Sequence, residues 1–195
     1  MKNYAATNDN HLVVCFGWMA MKTAIRAIEY GTPVSRFKVV VEEDNDLQSY
    51  LPKDVVMSDV LAYKVVSRNH LENWETNKAS LQALAAGIKA ERLILITDLD
   101  SQECTFALTK FIGELDQSIL DDALLIFITP FWEESLNWKR ALPYLNLVKQ
   151  LPLRKQIINL PYLMKTHKLE KLILLKVEKY YCAYINNVIE EELNS

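Results

Sequence analysis

The sequence predicts an α/β domain: a doubly wound, mostly parallel sheet of about six strands with a long C-terminal helix. Three observations carry this. The short β-type runs are apolar throughout rather than alternating, as strands covered on both faces require. Helical patterns separate them in steady succession. Of the 195 residues, 50% are hydrophobic and 24% charged, enough for a core in one domain. Residues 1–195 read as that single domain, with 1–10 as a flexible N-terminal arm.

In order, His11 to Phe16 (HLVVCF) is a buried strand ending at Gly17. Met19 to Tyr30 is a helix, stopped by Gly31 and Pro33. Arg36 to Val41 is a strand running into the acids Glu42, Glu43 and Asp44. A short helix from Asp46 to Leu51 ends before Pro52, and Val55 to Met57 suits a short strand. The stretch Ser58 to Ser67 has no clear period. Asn69 to Ala90 is helical, with Leu71, Trp74, Leu81, Leu84, Ala85 and Ile88 on one side. Arg92 to Thr97 (RLILIT) is the clearest strand, and Ser101 to Leu120 follows as a helix. Ala123 to Thr129 is a strand, Glu134 to Lys149 a helix and Lys155 to Asn159 the last strand. A long helix, starting at 168 or 169 and running to Leu193, closes the chain. The architecture is three-layer and Rossmann-like.

Composition excludes several classes. With 22 basic and 25 acidic residues, a net charge of −3, the chain lacks the basic excess of a general nucleic-acid binder. Its longest apolar runs are too short for a bilayer, and the first residues carry no apolar leader, so no membrane is expected. Cys15, Cys104 and Cys182 are odd in number and widely spaced, which speaks against a disulfide framework or structural zinc and for a reducing cytoplasm. The three histidines show no metal or catalytic spacing.

In a parallel sheet, ligands bind outside the carboxyl ends of the strands. After the first strand comes Gly17-Trp18-Met19, with one glycine where a phosphate loop needs several. The simple alternative there is a strand-to-helix turn. After the clearest strand comes Thr97-Asp98-Leu99-Asp100-Ser101-Gln102-Glu103. Asp98 and Asp100, two residues apart at a strand end, suit Mg²⁺, a hard cation. Haloacid-dehalogenase-type phosphatases and Toprim-type domains carry such pairs, although this loop lacks the glycine of the phosphatase pattern. Equally, Asp or Ser here caps the following helix. The next strand leads into Pro130-Phe131-Trp132-Glu133-Glu134, and the last strand ends at Asn159.

Element order and this Pro-Phe segment together resemble the nucleotide-binding domain of the FtsZ/tubulin family. Pro130-Phe131-Trp132-Glu133-Glu134 is similar to the family's Pro-Phe-x-Phe-Glu-Gly segment, with Glu134 at its glutamate. Ile157-Ile158-Asn159 and Leu163 resemble its Asn-bearing loop. The resemblance spans roughly Leu12 to Leu193 and implies Gly17, Glu134 and Asn159 as remnants of a nucleotide site. Two hallmarks depart from it. The glycine-rich signature loop is replaced by Asp98 to Thr105, and the chain is expected to lack the activation domain that follows the long helix.

The closing helix carries two apolar stripes: Leu169, Ile173, Val177, Tyr180, Tyr184 and Val188, and beside them Leu172, Tyr181, Ile185, Ile189 and Leu193. Together they cover roughly half the circumference, more than the ~100° that covers one surface. The sequence therefore predicts an exposed apolar face including Leu172, Tyr181, Ile185 and Ile189, open to a protein partner or a second copy, unless the N-terminal arm covers it. The expected function is that of a catalytically inactive FtsZ/tubulin-like domain acting through protein contact, with a cell-division or cytoskeletal partner or by self-association. No cofactor is expected on that reading. Two alternatives stand beside it: a Mg²⁺-dependent phosphoesterase or nuclease-like enzyme using Asp98 and Asp100, and an atypical GTP/GDP binder.

Overall fold

The computed structural model describes residues 11–42, 50–56, 61–65, 74–99, 101–130, 136–169 and 174–193. It is an α/β fold around a six-stranded sheet in which every pairing is parallel. The strands are β1 (His11–Phe16), β2 (Phe37–Glu42), β3 (Leu61–Val65), β4 (Arg92–Asp98), β5 (Leu124–Ile128) and β6 (Arg154–Ile158). Their order across the sheet is β3-β2-β1-β4-β5-β6. The chain thus builds outward to one side from β1 and then returns to build outward from β4. This is the order of doubly wound dinucleotide-binding folds, and the switch between β1 and β4 is where their ligand crevice lies.

The helices are α1 (Trp18–Glu29), α2 (Trp74–Ala86), α3 (Gln102–Ile112), α4 (Gln117–Leu120), α5 (Leu136–Gln150), α6 (Leu160–Thr166) and α7 (Leu174–Leu193). They divide between two cores because successive strand side chains point to opposite faces. On one face Val13, Cys15, Val39, Ile94, Ile96 and Ile126 pack with α1 and α7. On the other, Val14, Phe16, Val40, Leu95, Leu125 and Phe127 pack with α2, α3 and α5. Both faces are dry at β1, β4 and β5, which is why those strands read as continuous apolar runs.

Five expectations need correction. The third strand is Leu61–Val65, inside the stretch that carried no period; Val55 and Val56 form no strand, and Met57 lies outside the described residues. Among the described residues β3 stands at the sheet edge, beside β2 alone, which explains the weak pattern. The expected helix from Ser101 to Leu120 breaks after Ile112, where Gly113 follows and Asp116 starts the short α4. An unexpected helix, α6, follows β6, with Asn159 as its N-cap and Pro161 in its first turn. Of the short helix at Asp46 to Leu51, residues 46–49 lie outside the described residues, and Tyr50 and Leu51 are a turn and a bend.

The fifth correction concerns α7. Tyr181, Ile185 and Ile189, expected on an open face, are 0%, 0% and 2% exposed; Leu172 lies outside the described residues. Val177 and Val188, from the neighbouring stripe, are buried as well. The physical reason is that α7 has two protein neighbours within this one domain. It lies on the sheet and alongside α1, tied there by Lys22 Nζ to Glu178 Oε1 at 2.9 Å and by Asn186 Nδ2 donating to the Thr23 carbonyl at 3.3 Å. A helix wedged between a sheet and a second helix needs a wide apolar arc, and no further domain is required to cover it. No described helix is long and apolar enough to cross a membrane.

Candidate functional site

The crevice at the switch between β1 and β4 is bounded by Gly17, which follows β1, and Asp98, the last residue of β4. Pairing of Phe16 with Thr97 brings these two ends side by side. Gly17 donates its N–H to the Val40 carbonyl at 2.9 Å, which holds the turn against β2. Its φ of 99° lies where side chains are strained, so glycine is the residue the turn takes.

Space is the second reason for Gly17. A Cβ placed there would stand 2.4 Å from Asp98 Oδ2. The carboxylate occupies the volume a side chain at 17 would need. Asp98 Oδ2 accepts the N–H of Met19 at 2.9 Å and, more weakly, that of Ala20 at 3.5 Å; Oδ1 accepts the N–H of Ser101 at 3.1 Å. With 3% of its surface exposed, the carboxylate is enclosed. It therefore sits between the start of α1 and the turn that leads into α3. Both are sites of unpaired N–H groups and positive dipole, which a phosphate would seek in a nucleotide-binding relative of this fold.

The neighbouring polar groups are consumed locally. Ser101 Oγ caps α3 by accepting the Cys104 N–H at 3.2 Å. Thr105 Oγ1 donates to the Ser101 carbonyl at 2.8 Å and also lies 3.2 Å from the Asp98 carbonyl. One strand further, Thr129 Oγ1 accepts the Leu160 N–H at 3.1 Å, locking the start of α6 to the end of β5. Asn159 Oδ1 accepts the Tyr162 N–H at 3.0 Å. Burial, followed by the nearby negative charge of Asp98, pushes the Cys15 thiol far above its ordinary range.

The structure thus brings together two of the sequence-predicted site residues, Gly17 and Asp98, with the Asp98 carboxylate lying in the space a side chain at 17 would need. Asn159 stands two strands away from β4 and spends its side-chain oxygen as a helix cap. Glu134 and Asp100 lie outside the described residues. Among the described residues no group of three or more His, Cys, Asp or Glu could hold a metal ion. The donors around Asp98 also oppose a cation, because both its oxygens already face N–H groups at positive helix ends. Ser101 does cap the helix that follows it, as one reading of the loop expects. What that reading omits is that Asp98 caps α1, 79 residues back along the chain. The signal was the strand order itself, which sets the end of β4 against the end of β1.

Comparison with known proteins adds no assignment. No protein-family model matches the chain, and no curated protein matches it significantly.

Proposed function

We propose that this protein is a catalytically inactive, nucleotide-free relative of the FtsZ/tubulin nucleotide-binding domain that acts through protein contact, with a cell-division or cytoskeletal partner or with a second copy of itself. The observation that carries the proposal is the seat of Asp98. Its carboxylate accepts the Met19 N–H at 2.9 Å and fills the space above Gly17. A phosphate entering there would meet a buried negative charge instead of free amides. Two like charges at 4 Å repel by about 4 kcal/mol at an effective dielectric of 20, a loss of about a thousandfold in affinity.

Other features are consistent with this role. The net charge of −3 does not favour nucleic acid. The three cysteines are buried and unbridged, which suits a reducing, cytoplasmic setting. A folded domain whose crevice is closed by its own side chain presents its outer surfaces as the means of action.

Calorimetric titration with GTP and GDP, each with and without Mg²⁺, tests the reading. The expected result is no binding heat and no change in Tm at millimolar nucleotide, since any ligand of the native state must stabilise it. Micromolar binding would overturn the proposal and restore a nucleotide switch. Binding of Mg²⁺ alone, lost in Asp98→Asn, would instead favour the metal-dependent enzyme.

A further inference from the structure

The seam where α1 meets α7 holds a cavity of about 250 Å³, lined by side chains of both helices and by Tyr50, which follows β2 in the chain. Lys22 and Glu178, both in its lining, join the two helices through an ion pair at 2.9 Å. The apolar part of the lining comes from Ile25 and Cys182, 5% and 4% exposed, and from the Tyr50 ring. Tyr50 is braced by Trp18, whose ring meets it edge-on with 4.7 Å between centroids. The same indole carries the Lys22 ammonium over its ring, 4.9 Å from the centroid. One tryptophan thus supports two residues of the cavity.

The charges in this lining are not all satisfied. Glu178 is engaged by Lys22, and Glu29 by Nη1 of Arg26. Nη2 of Arg26 donates to the Tyr30 hydroxyl at 2.8 Å. These contacts fix the guanidinium but leave its Nε, which is buried without a hydrogen-bond partner. Lys179 is exposed and forms no ion pair with a described residue. Lys22, Arg26 and Lys179 therefore stand against only two acids, and the two uncommitted groups are both cationic donors. A buried N–H without an acceptor is costly, and a charged acceptor satisfies it most strongly.

We infer that this cavity binds a small aromatic carboxylate, with its ring against Ile25, Cys182 and Tyr50 and its carboxylate taken by Arg26 Nε and Lys179. Other ligand classes match the lining less well. A cation would find both acids already engaged and positive charge in excess. A neutral apolar molecule would leave the Arg26 N–H unpaired and drier than before. An inorganic anion would leave the apolar lining in water. Size sets the body of the ligand. A cavity of ~150 Å³ holds one benzene, so the volume here takes a single ring with a short carboxylate-bearing arm. This inference goes beyond the contact reading and does not rest on it, because Gly17 and Asp98 are not among the lining residues.

The test is a titration of phenylacetate into isotope-labelled protein at constant ionic strength, followed through the backbone amide resonances. Saturable shifts at millimolar concentration are expected at Ile25, Arg26, Tyr50 and Cys182. Arg26→Met is expected to weaken binding about tenfold, the loss of one hydrogen bond to a charged group. Lys179→Gln, at an exposed position that the fold does not need, should weaken it about threefold. Phenylethanol, phenethylamine and acetate, which lack the charge, reverse it or lack the ring, are expected to bind far more weakly. Absence of saturable shifts overturns the inference, and so does equal binding of any of these three controls. Phenylacetate shifts centred on Gly17, Met19 and Ser101 would place the ligand in the crevice and overturn it as well. Binding undiminished by Lys179→Gln has the same effect, which keeps the test decisive even where Arg26→Met fails to fold. Nucleotide takes no part in these measurements, so the fate of this inference and that of the nucleotide-free reading are separable.

Discussion

Asp98 Oδ2 accepts the backbone N–H of Met19 at 2.9 Å across 79 residues of sequence. A helix start with free amides is costly to bury, and in this fold a bound phosphate commonly satisfies it. Here a carboxylate carried by the adjacent strand does so. It reaches the turn into α3 as well, through the Ser101 N–H at 3.1 Å, so one side chain links the two halves of the sheet at their junction. The group that links the two halves of the sheet here also occupies the space above Gly17.

Removing that charge should therefore both weaken the fold and open the crevice. Hydrogen bonds to a charged group contribute about 1.5–3 kcal/mol, and a buried donor left unpaired costs about 1–3 kcal/mol. Asp98→Asn, which keeps the shape and one acceptor, is expected to lose about 1–3 kcal/mol in denaturant unfolding. Asp98→Ala should lose more, and its Tm should rise in phosphate relative to chloride at equal ionic strength, whereas wild type should not respond. An alanine variant indifferent to phosphate would show that the vacated amides do not form an anion seat.

Gly17 and Asp98 should be energetically coupled. Gly17→Ala forces a Cβ to within 2.4 Å of the carboxylate and imposes a strained φ of 99°. In the Asp98→Ala background the clash is gone and only the backbone strain remains, about 1–3 kcal/mol. The double variant should thus be more stable than the sum of the single losses predicts. A double-mutant cycle in urea reads this coupling directly, and strict additivity would mean that the carboxylate moves aside without cost.

Much of the fold is legible in the sequence because both faces of the sheet are dry at its central strands. β1, β4 and β5 have buried patterns almost from end to end, and no other element type produces apolar runs of that length between helices. β3 is not legible, since it stands at an edge and its residues Leu61 to Val65 mix Tyr and Lys with the apolar positions. The α7 stripes are visible, but their width alone does not say what covers them: α1 and the sheet do, and both contacts are long-range. The site shows the same division. Gly17 and Asp98 each stand out as residues at strand ends. Their relationship becomes visible only once β4 is known to lie beside β1.

The buried character of α7 predicts which of its positions tolerate change. Ile185→Ala, at a site with no exposure, should cost about 2–5 kcal/mol of stability. Tyr181→Phe removes only the hydroxyl that donates to the Leu160 carbonyl at 3.1 Å and should cost about 1 kcal/mol. Lys176→Ala and Asn187→Ala lie on the exposed side and should stay within about 0.5 kcal/mol of wild type. Chemical denaturation of the four variants checks the orientation of the helix. A mild effect of Ile185→Ala together with lost self-association would return this face to the surface.

Thiol chemistry gives an independent reading of the same core. Burial raises the Cys15 thiol above its ordinary value of 9.0, with the Asp98 charge adding to the effect. Cys182 is raised mainly by burial, partly offset by the Thr23 hydroxyl, and Tyr181 is raised by burial and by Tyr180. In each case the folded state holds its proton beyond the point at which the unfolded chain releases it. Stability from these groups is therefore fully present below the unfolded values and is lost as pH climbs past them, where the unfolded state binds fewer protons. Unfolding free energy should be level for these groups through neutral pH and fall above about pH 9. Below that, Cys15 and Cys182 should react with a thiol reagent only at the rate of unfolding, and Asp98→Asn should lower the pH at which Cys15 begins to ionise. Rapid labelling of Cys15 at neutral pH in the native protein would show that the first strand, and with it the seat of Asp98, opens to solvent.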